Sequence, residues 1–257
     1  MISRLHLPLL EPEDVVLHLG QQERHWKAGR SAHALSTLWS RNNAIPQSIK
    51  SILATQKAFD GAELIDAFLE RQVDLGTAGR PSQTDLLAIV GIKDQIAVVA
   101  IEAKAGEPFG DRVKKWNDGG EGKKARLSAL CKTLGISESQ AQLLRYQLLH
   151  RSASAIYEAR RYRSKLAVML VHSFAKDDES LADFVEFLQA MGVKGAVKPA
   201  FLFGPFRCEG VTLYMGWVDD HDLVDHDQTR CLQQLRGYAE RLSEYCNRLR
   251  AWCDSRA

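Results

Sequence analysis

Apolar and polar positions change their spacing several times along this chain, and each change marks an element. In residues 31–59 the apolar positions Ile45, Ile49, Ile52 and Leu53 recur at helical intervals, and Pro46 stands where a helix can begin. Two short helices are predicted there. Ala58, Ala62, Ile65 and Leu69 continue at three- and four-residue steps, which predicts a further helix over residues 55–73. The turn-rich run at residues 76–83, GTAGRPSQ, ends it.

After that break the pattern becomes that of strands. Residues 85–90 and 96–101 are short apolar runs, partly β-branched, separated by Gly91-Ile-Lys-Asp-Gln95, the signature of a buried hairpin. A polar, Gly-rich and basic stretch follows at residues 106–124. A long helix is predicted over residues 139–162, with Ala141, Leu144, Leu148, Ser152, Ala155 and Ala159 on its inner face. Residues 166–171, 199–203 and 211–215 read as strands, and residues 181–191 as an amphipathic helix. At residues 228–253, Leu235, Tyr238, Leu242, Tyr245, Leu249 and Trp252 alternate three- and four-residue steps and predict a long amphipathic helix. Ala239, Cys246 and Cys253 widen that stripe beyond a strict coiled-coil seam, so the helix is expected to pack on its own domain, a homodimer through it being the alternative.

The expected fold class is α/β, a mixed β-sheet core flanked by helices. Residues 1–257 are read as one domain: a basic helical N-terminal lobe at 1–54, the α/β core at 55–218 and the C-terminal helix at 219–257. At 257 residues, 45% hydrophobic and 26% charged, the chain can bury a sufficient core without staples. Five cysteines without a CxxC pair suggest neither a disulfide framework nor a zinc site, and no run approaches the length of a membrane span. A cytoplasmic setting is expected.

Three polar residues interrupt the apolar hairpin: Asp85 at the start of its first strand, and Glu102 and Lys104 at the end of its second. A loop centred between Lys93 and Asp94 sets Asp85 directly opposite Glu102, and residues two apart on a strand share a face, so all three project together. Two carboxylates so close repel each other unless a cation lies between them. A hard divalent cation suits such oxygen donors, with the carbonyl of Ala103 completing a half-shell. Lys104 beside it would serve a bound water and offset charge on a phosphodiester. The opposing expectation is a buried Glu102–Lys104 ion pair, with Asp85 capping a turn.

Arg80-Pro-Ser-Gln-Thr-Asp85, followed after an apolar strand by Ile101-Glu-Ala-Lys104, resembles the PD-(D/E)XK nuclease superfamily, the restriction-endonuclease-like fold. The order of elements over residues 55–173 is similar to that family's core. The resemblance implies Mg²⁺, with Mn²⁺ as a substitute, held by Asp85 and Glu102, and Lys104 serving the nucleophilic water. It also implies a glutamate from the preceding helix, Glu63 first and Glu70 second, and a polar residue on the following helix, Gln147, with Arg151 one turn on. Glu121-Gly-Lys123 repeats the acid-x-Lys spacing without strand character, so the tripeptide alone proves little.

Charge adds a partner to this picture. Residues 24–59 carry Arg24, Lys27, Arg30, Arg41, Lys50 and Lys57 and no acid, with Trp26 and Trp39 among them. Residues 139–165 carry Arg145, Arg151, Arg160, Arg161, Arg163 and Lys165 against Glu158 alone. Arg24, Trp26, Lys27, Arg30, Arg80, Arg145 and Arg151 are therefore the candidate contacts to nucleic acid, expected to be DNA, through phosphates and through stacking on Trp26 or Trp39. The function expected is metal-dependent phosphodiester hydrolysis. Its rival is a catalytically inactive module of the same fold that binds nucleic acid or another partner. The Asp/His-rich run at residues 219–227 is read as the acidic lead into the last helix rather than a metal site.

Overall fold

The computed structural model describes residues 29–42 and 44–221, so the helix expected at 228–253 and the candidates Arg24, Trp26 and Lys27 lie outside the described residues. The fold is α/β. Helices α1 (Ser31–Asn42) and α2 (Gln47–Leu53) precede strands β1 (Glu63–Val73), β2 (Ser82–Ile92) and β3 (Gln95–Lys104). Helices α3 (Val113–Trp116), α4 (Glu121–Leu134), α5 (Glu138–Ala141) and α6 (Tyr146–Arg161) follow, then β4 (Leu166–Ser173), α7 (Asp178–Ala190), β5 (Leu202–Cys208) and β6 (Val211–Asp219). The strands form one sheet in the order β1-β2-β3-β4-β6-β5. β3, β4 and β6 run parallel to one another, and β1, β2 and β5 join antiparallel to their neighbours.

The central strands are buried on both faces, which explains why β2, β3 and β4 read as continuous apolar runs. One face packs Leu87, Ile89, Val98, Ala100, Met169 and Val171 against Leu148, Ala155 and Ala159 of α6 and Leu127 and Leu130 of α4. The other packs Leu86, Ala88, Val99, Ile101 and Leu170 against Leu35 and Trp39 of α1 and Ile49, Ile52 and Leu53 of α2. Helices α1 and α2 thus form a layer of the core. Gly216 of β6 allows that closeness, because a Cβ there would stand 2.6 Å from Ile52 Cδ1.

Two expectations are corrected, and one helix is added. Residues 55–73 are not one helix: Asp60 and Gly61, the latter at φ +76, turn the chain into β1, where pairing with β2 overrides the accidental helical spacing. The helix expected over residues 139–162 is broken into α5 and α6, although all six of its predicted inner residues are buried. A helix that begins at the end of the polar stretch and runs ten residues beyond it was not expected. α4 buries Leu127, Leu130, Cys131 and Leu134 on one stripe and ends on Gly135 at φ +73, whose N–H returns to the Cys131 carbonyl.

Candidate active site

The hairpin register puts three acids in one row. β2 and β3 join through a two-residue turn, with Ile92 opposite Gln95 and Lys93 at φ +51, and their pairing runs out to Leu86 opposite Ile101. Asp85 and Glu102 are the next positions outward. On the other side, Leu69 pairs with Leu86 and Arg71 with Thr84, so Glu70 of β1 is bracketed opposite Asp85. Glu70, Asp85 and Glu102 therefore cross three adjacent strands at one level, at the C-terminal end of β3. Glu70 holds a left-handed backbone, φ +52, unusual for a side chain within a strand.

Each acid has different company. Glu102 is buried; its Oε1 accepts from Lys104 Nζ at 2.9 Å and from Gln147 Nε2, and its Oε2 accepts from Arg151 Nε. Asp85 Oδ2 accepts from the Ala103 N–H at 2.8 Å, which the β2–β3 ladder no longer serves, and Oδ1 lies 3.8 Å from Arg151 Nη2. Glu70 Oε2 accepts from Gln83 Nε2. Lys104 Nζ also donates to Gln147 Oε1 at 3.1 Å and stands 4.9 Å above the Phe109 ring, so both its reach and its direction are fixed.

The electrostatics follow from burial and count. Burial, then Glu102, push the Asp85 carboxyl well above its ordinary range, and burial brings Glu70 to about 7. Burial would raise Glu102 too, but Arg151 and Lys104 outweigh it and hold that carboxylate below its usual value. Three carboxyl groups thus stand beside two cationic side chains, Lys104 and Arg151, and burial, more than the crowding, favours the protonated forms of Asp85 and Glu70. Behind Arg151, Nη1 donates to Ser82 Oγ at 3.1 Å, with His150 Nδ1 2.8 Å and Ser154 Oγ 2.9 Å from the same hydroxyl. Burial, then Arg151, hold the His150 imidazole well below its ordinary pKa, so it is neutral at pH 7.

The structure therefore brings together Asp85, Glu102, Lys104 and Gln147, with the Ala103 N–H steadying Asp85. Glu63 is corrected: it is exposed at the opposite end of β1, paired with Gly91, and Glu70 occupies the place by the cluster. Arg151 is corrected too, being a buried member of the cluster rather than a surface contact. Trp39 is buried in the core and offers no face for stacking. Arg145 is braced by Asp183 at 2.7 Å, Glu179 at 3.3 Å and the Gly110 carbonyl at 2.7 Å. Arg160 likewise pairs with Glu209, so acids brought from elsewhere meet Arg145, Arg151 and Arg160 of the second basic stretch, and Arg161 pairs with Glu158 within it. Arg80 is exposed beside β2, and Arg30 is exposed 3.8 Å from Glu107.

Sequence reasoning missed Ser82 and His150, which touch the cluster only through Arg151. The signal available was the four-residue spacing of Gln147 and Arg151, which puts both on one face of α6. The decoys resolve simply. Glu121 is exposed at the start of α4, Lys123 binds Asp118 and the Trp116 carbonyl, and Asp220 ties Ser48 of α2 to buried His172 at 2.7 Å from its Nε2. Among the described residues, no three or more His, Cys, Asp and Glu side chains gather to hold a metal ion, and no helix is long and apolar enough to cross a membrane.

Fold and cluster together define an α/β protein with a buried carboxylate–lysine–glutamine–arginine site at the end of a mixed sheet. The chain belongs to the DUF6946 family, a domain of unknown function, which matches residues 8–222. No curated protein and no solved structure matches it.

Proposed function

We propose that this protein is a divalent-metal-dependent nuclease, a phosphodiester hydrolase of the PD-(D/E)XK kind acting on DNA. The observation that carries the reading is the row of Glu70, Asp85 and Glu102 beside a fixed Lys104, a row with more carboxyl groups than local cationic side chains. Carboxyl groups crowded together in excess of their cationic partners are a feature of sites that bind something positive.

The donor set suits Mg²⁺ or Mn²⁺ in its chemistry. Asp85 and Glu102 are hard oxygen donors on neighbouring strands, and a cation that keeps several waters needs only one or two carboxylates from the protein. Bound there, the cation would lower the pKa of a coordinated water and polarise a phosphoryl oxygen. The chain's own groups supply the rest. Lys104, aimed by Glu102 and Gln147, holds the attacking water and offsets charge developing on the phosphate. The Ala103 N–H fixes the rotamer of Asp85. Exposed Arg80, two residues from Ser82, is placed to meet a backbone phosphate.

A second reading is favoured by one observation, the guanidinium of Arg151 against Glu102 and near Asp85. An arginine there lets the cluster persist as a structural network in an inactive nucleic-acid-binding module. Cleavage of plasmid, linear duplex, single-stranded DNA and RNA with Mg²⁺ or Mn²⁺, wild type beside Lys104→Ala, decides between them. Metal-dependent cleavage lost in the variant supports the nuclease; binding without cleavage under every condition supports the module.

A further inference from the structure

Arg151 occupies the ground that a metal ion would need. Its Nε donates to Glu102 Oε2, its Nη2 is 3.8 Å from Asp85 Oδ1, and its Nη1 is tied to Ser82 at 3.1 Å, so one planar group spans both carboxylates and is anchored from behind. The anchor is itself braced: Ser82 lies within 2.9 Å of Ser154 and 2.8 Å of His150, and Ser154 donates to the His150 carbonyl at 2.7 Å. All these partners stand on β2 and α6, two elements packed through the core. The guanidinium is a built part of the site rather than a surface side chain that has drifted inward, since Arg151 is only 8% exposed.

We propose that Arg151 is the internal counter-ion of this cluster, substituting for a divalent cation in the free protein and attenuating the affinity for one. The inference rests on the metal reading above. A guanidinium that shares both carboxylates with an incoming cation repels it and competes for its ligands, and in a buried site that repulsion is weakly screened. The consequence is a site whose Asp85 and Glu102 carboxylates are partly compensated without metal and which fills only at high cation concentration. Arginine suits this role better than lysine, because its fork engages two carboxylates at once and cannot shed its charge.

The test is calorimetric titration of the full chain with Mn²⁺, and with Mg²⁺, on wild type, Arg151→Gln and Arg151→Lys, each first checked for folding by circular dichroism. Arg151→Gln is expected to bind the cation at least about tenfold more tightly than wild type, and Arg151→Lys, whose ammonium reaches one carboxylate, a few-fold more tightly. Should Arg151→Gln fail to fold, Arg151→Lys alone carries the comparison. Wild-type binding with unchanged or weaker affinity in the folded variants overturns the counter-ion role and leaves the metal site standing. Absence of binding in wild type and variants alike overturns the metal reading and this inference with it.

Discussion

Helix α6 buries charge in two places, and the two clusters contrast. Near its C-terminal end, Glu158 is a single carboxylate between two arginines: Arg71 of β1 at 3.1 Å, itself buried, and Arg161 at 3.3 Å one turn on. Two turns earlier, Gln147 and Arg151 of the same helix meet Glu70, Asp85 and Glu102, three carboxylates against two cations. The first cluster has no acid left over. In the second the acids outnumber the cations, and burial favours the protonated forms of Asp85 and Glu70. A carboxylate outnumbered by its cations needs only a structural explanation, whereas carboxyl groups that outnumber theirs pose the question of what completes them.

This contrast can be broken most directly by activity. Lys104→Ala and Asp85→Asn are expected to lower metal-dependent cleavage by about 10³-fold, while Arg161→Gln, at the Glu158 cluster, leaves the rate per folded molecule unchanged. Equal losses from both clusters would erase the distinction. Stability should respond in the opposite sense. Glu158→Gln removes the carboxylate that faces buried Arg71 and is expected to cost about 3 kcal/mol in urea unfolding, whereas Asp85→Asn retains an acceptor for the Ala103 N–H and removes a repelled carboxyl.

Without added metal at pH 8, Asp85→Asn is therefore expected to gain about 1–2 kcal/mol, read from the same urea midpoints. A loss of stability there would mean that the Asp85 carboxylate is a structural requirement rather than a functional burden. The pH dependence sharpens the point further. Glu70 has a folded pKa near 7, raised by burial above its ordinary 4.5, so its protonated form favours the folded state. Its contribution is fully present below 4.5 and is lost as pH rises through about 7. Glu70→Gln should flatten the fall in stability across that window, measured by thermal midpoint against pH. Glu63→Gln, at the far and exposed end of the same strand, should leave both midpoint and cleavage unchanged, within about 0.5 kcal/mol.

How much of this was legible varied with how locally each feature is specified. The hairpin and its register could be read because both strands are apolar on both faces and joined by a two-residue turn, which leaves one pairing that sets Asp85 opposite Glu102. β1 could not, because it is an edge strand with a register shift between Leu64 and Asp66 and a left-handed Glu70, and these irregularities destroy the two-residue alternation. α4 was obscured by the lysines and glycine that open it, although Gly135 marked its end.

The amino-acid order by itself determined the α/β class, the buried hairpin and the shared face of Asp85, Glu102 and Lys104, since strand periodicity and turn length act over a few residues. Only the tertiary structure decided that Glu70 rather than Glu63 joins them, that α1 and α2 complete the core, and that Arg151 turns inward. The first depends on the register of β1 against β2, the second on how α1 and α2 dock on the sheet face opposite α6, and the third on how α6 docks on β2 and β3; each joins segments that local periodicity does not link, and local sequence carries no record of which group will stand opposite.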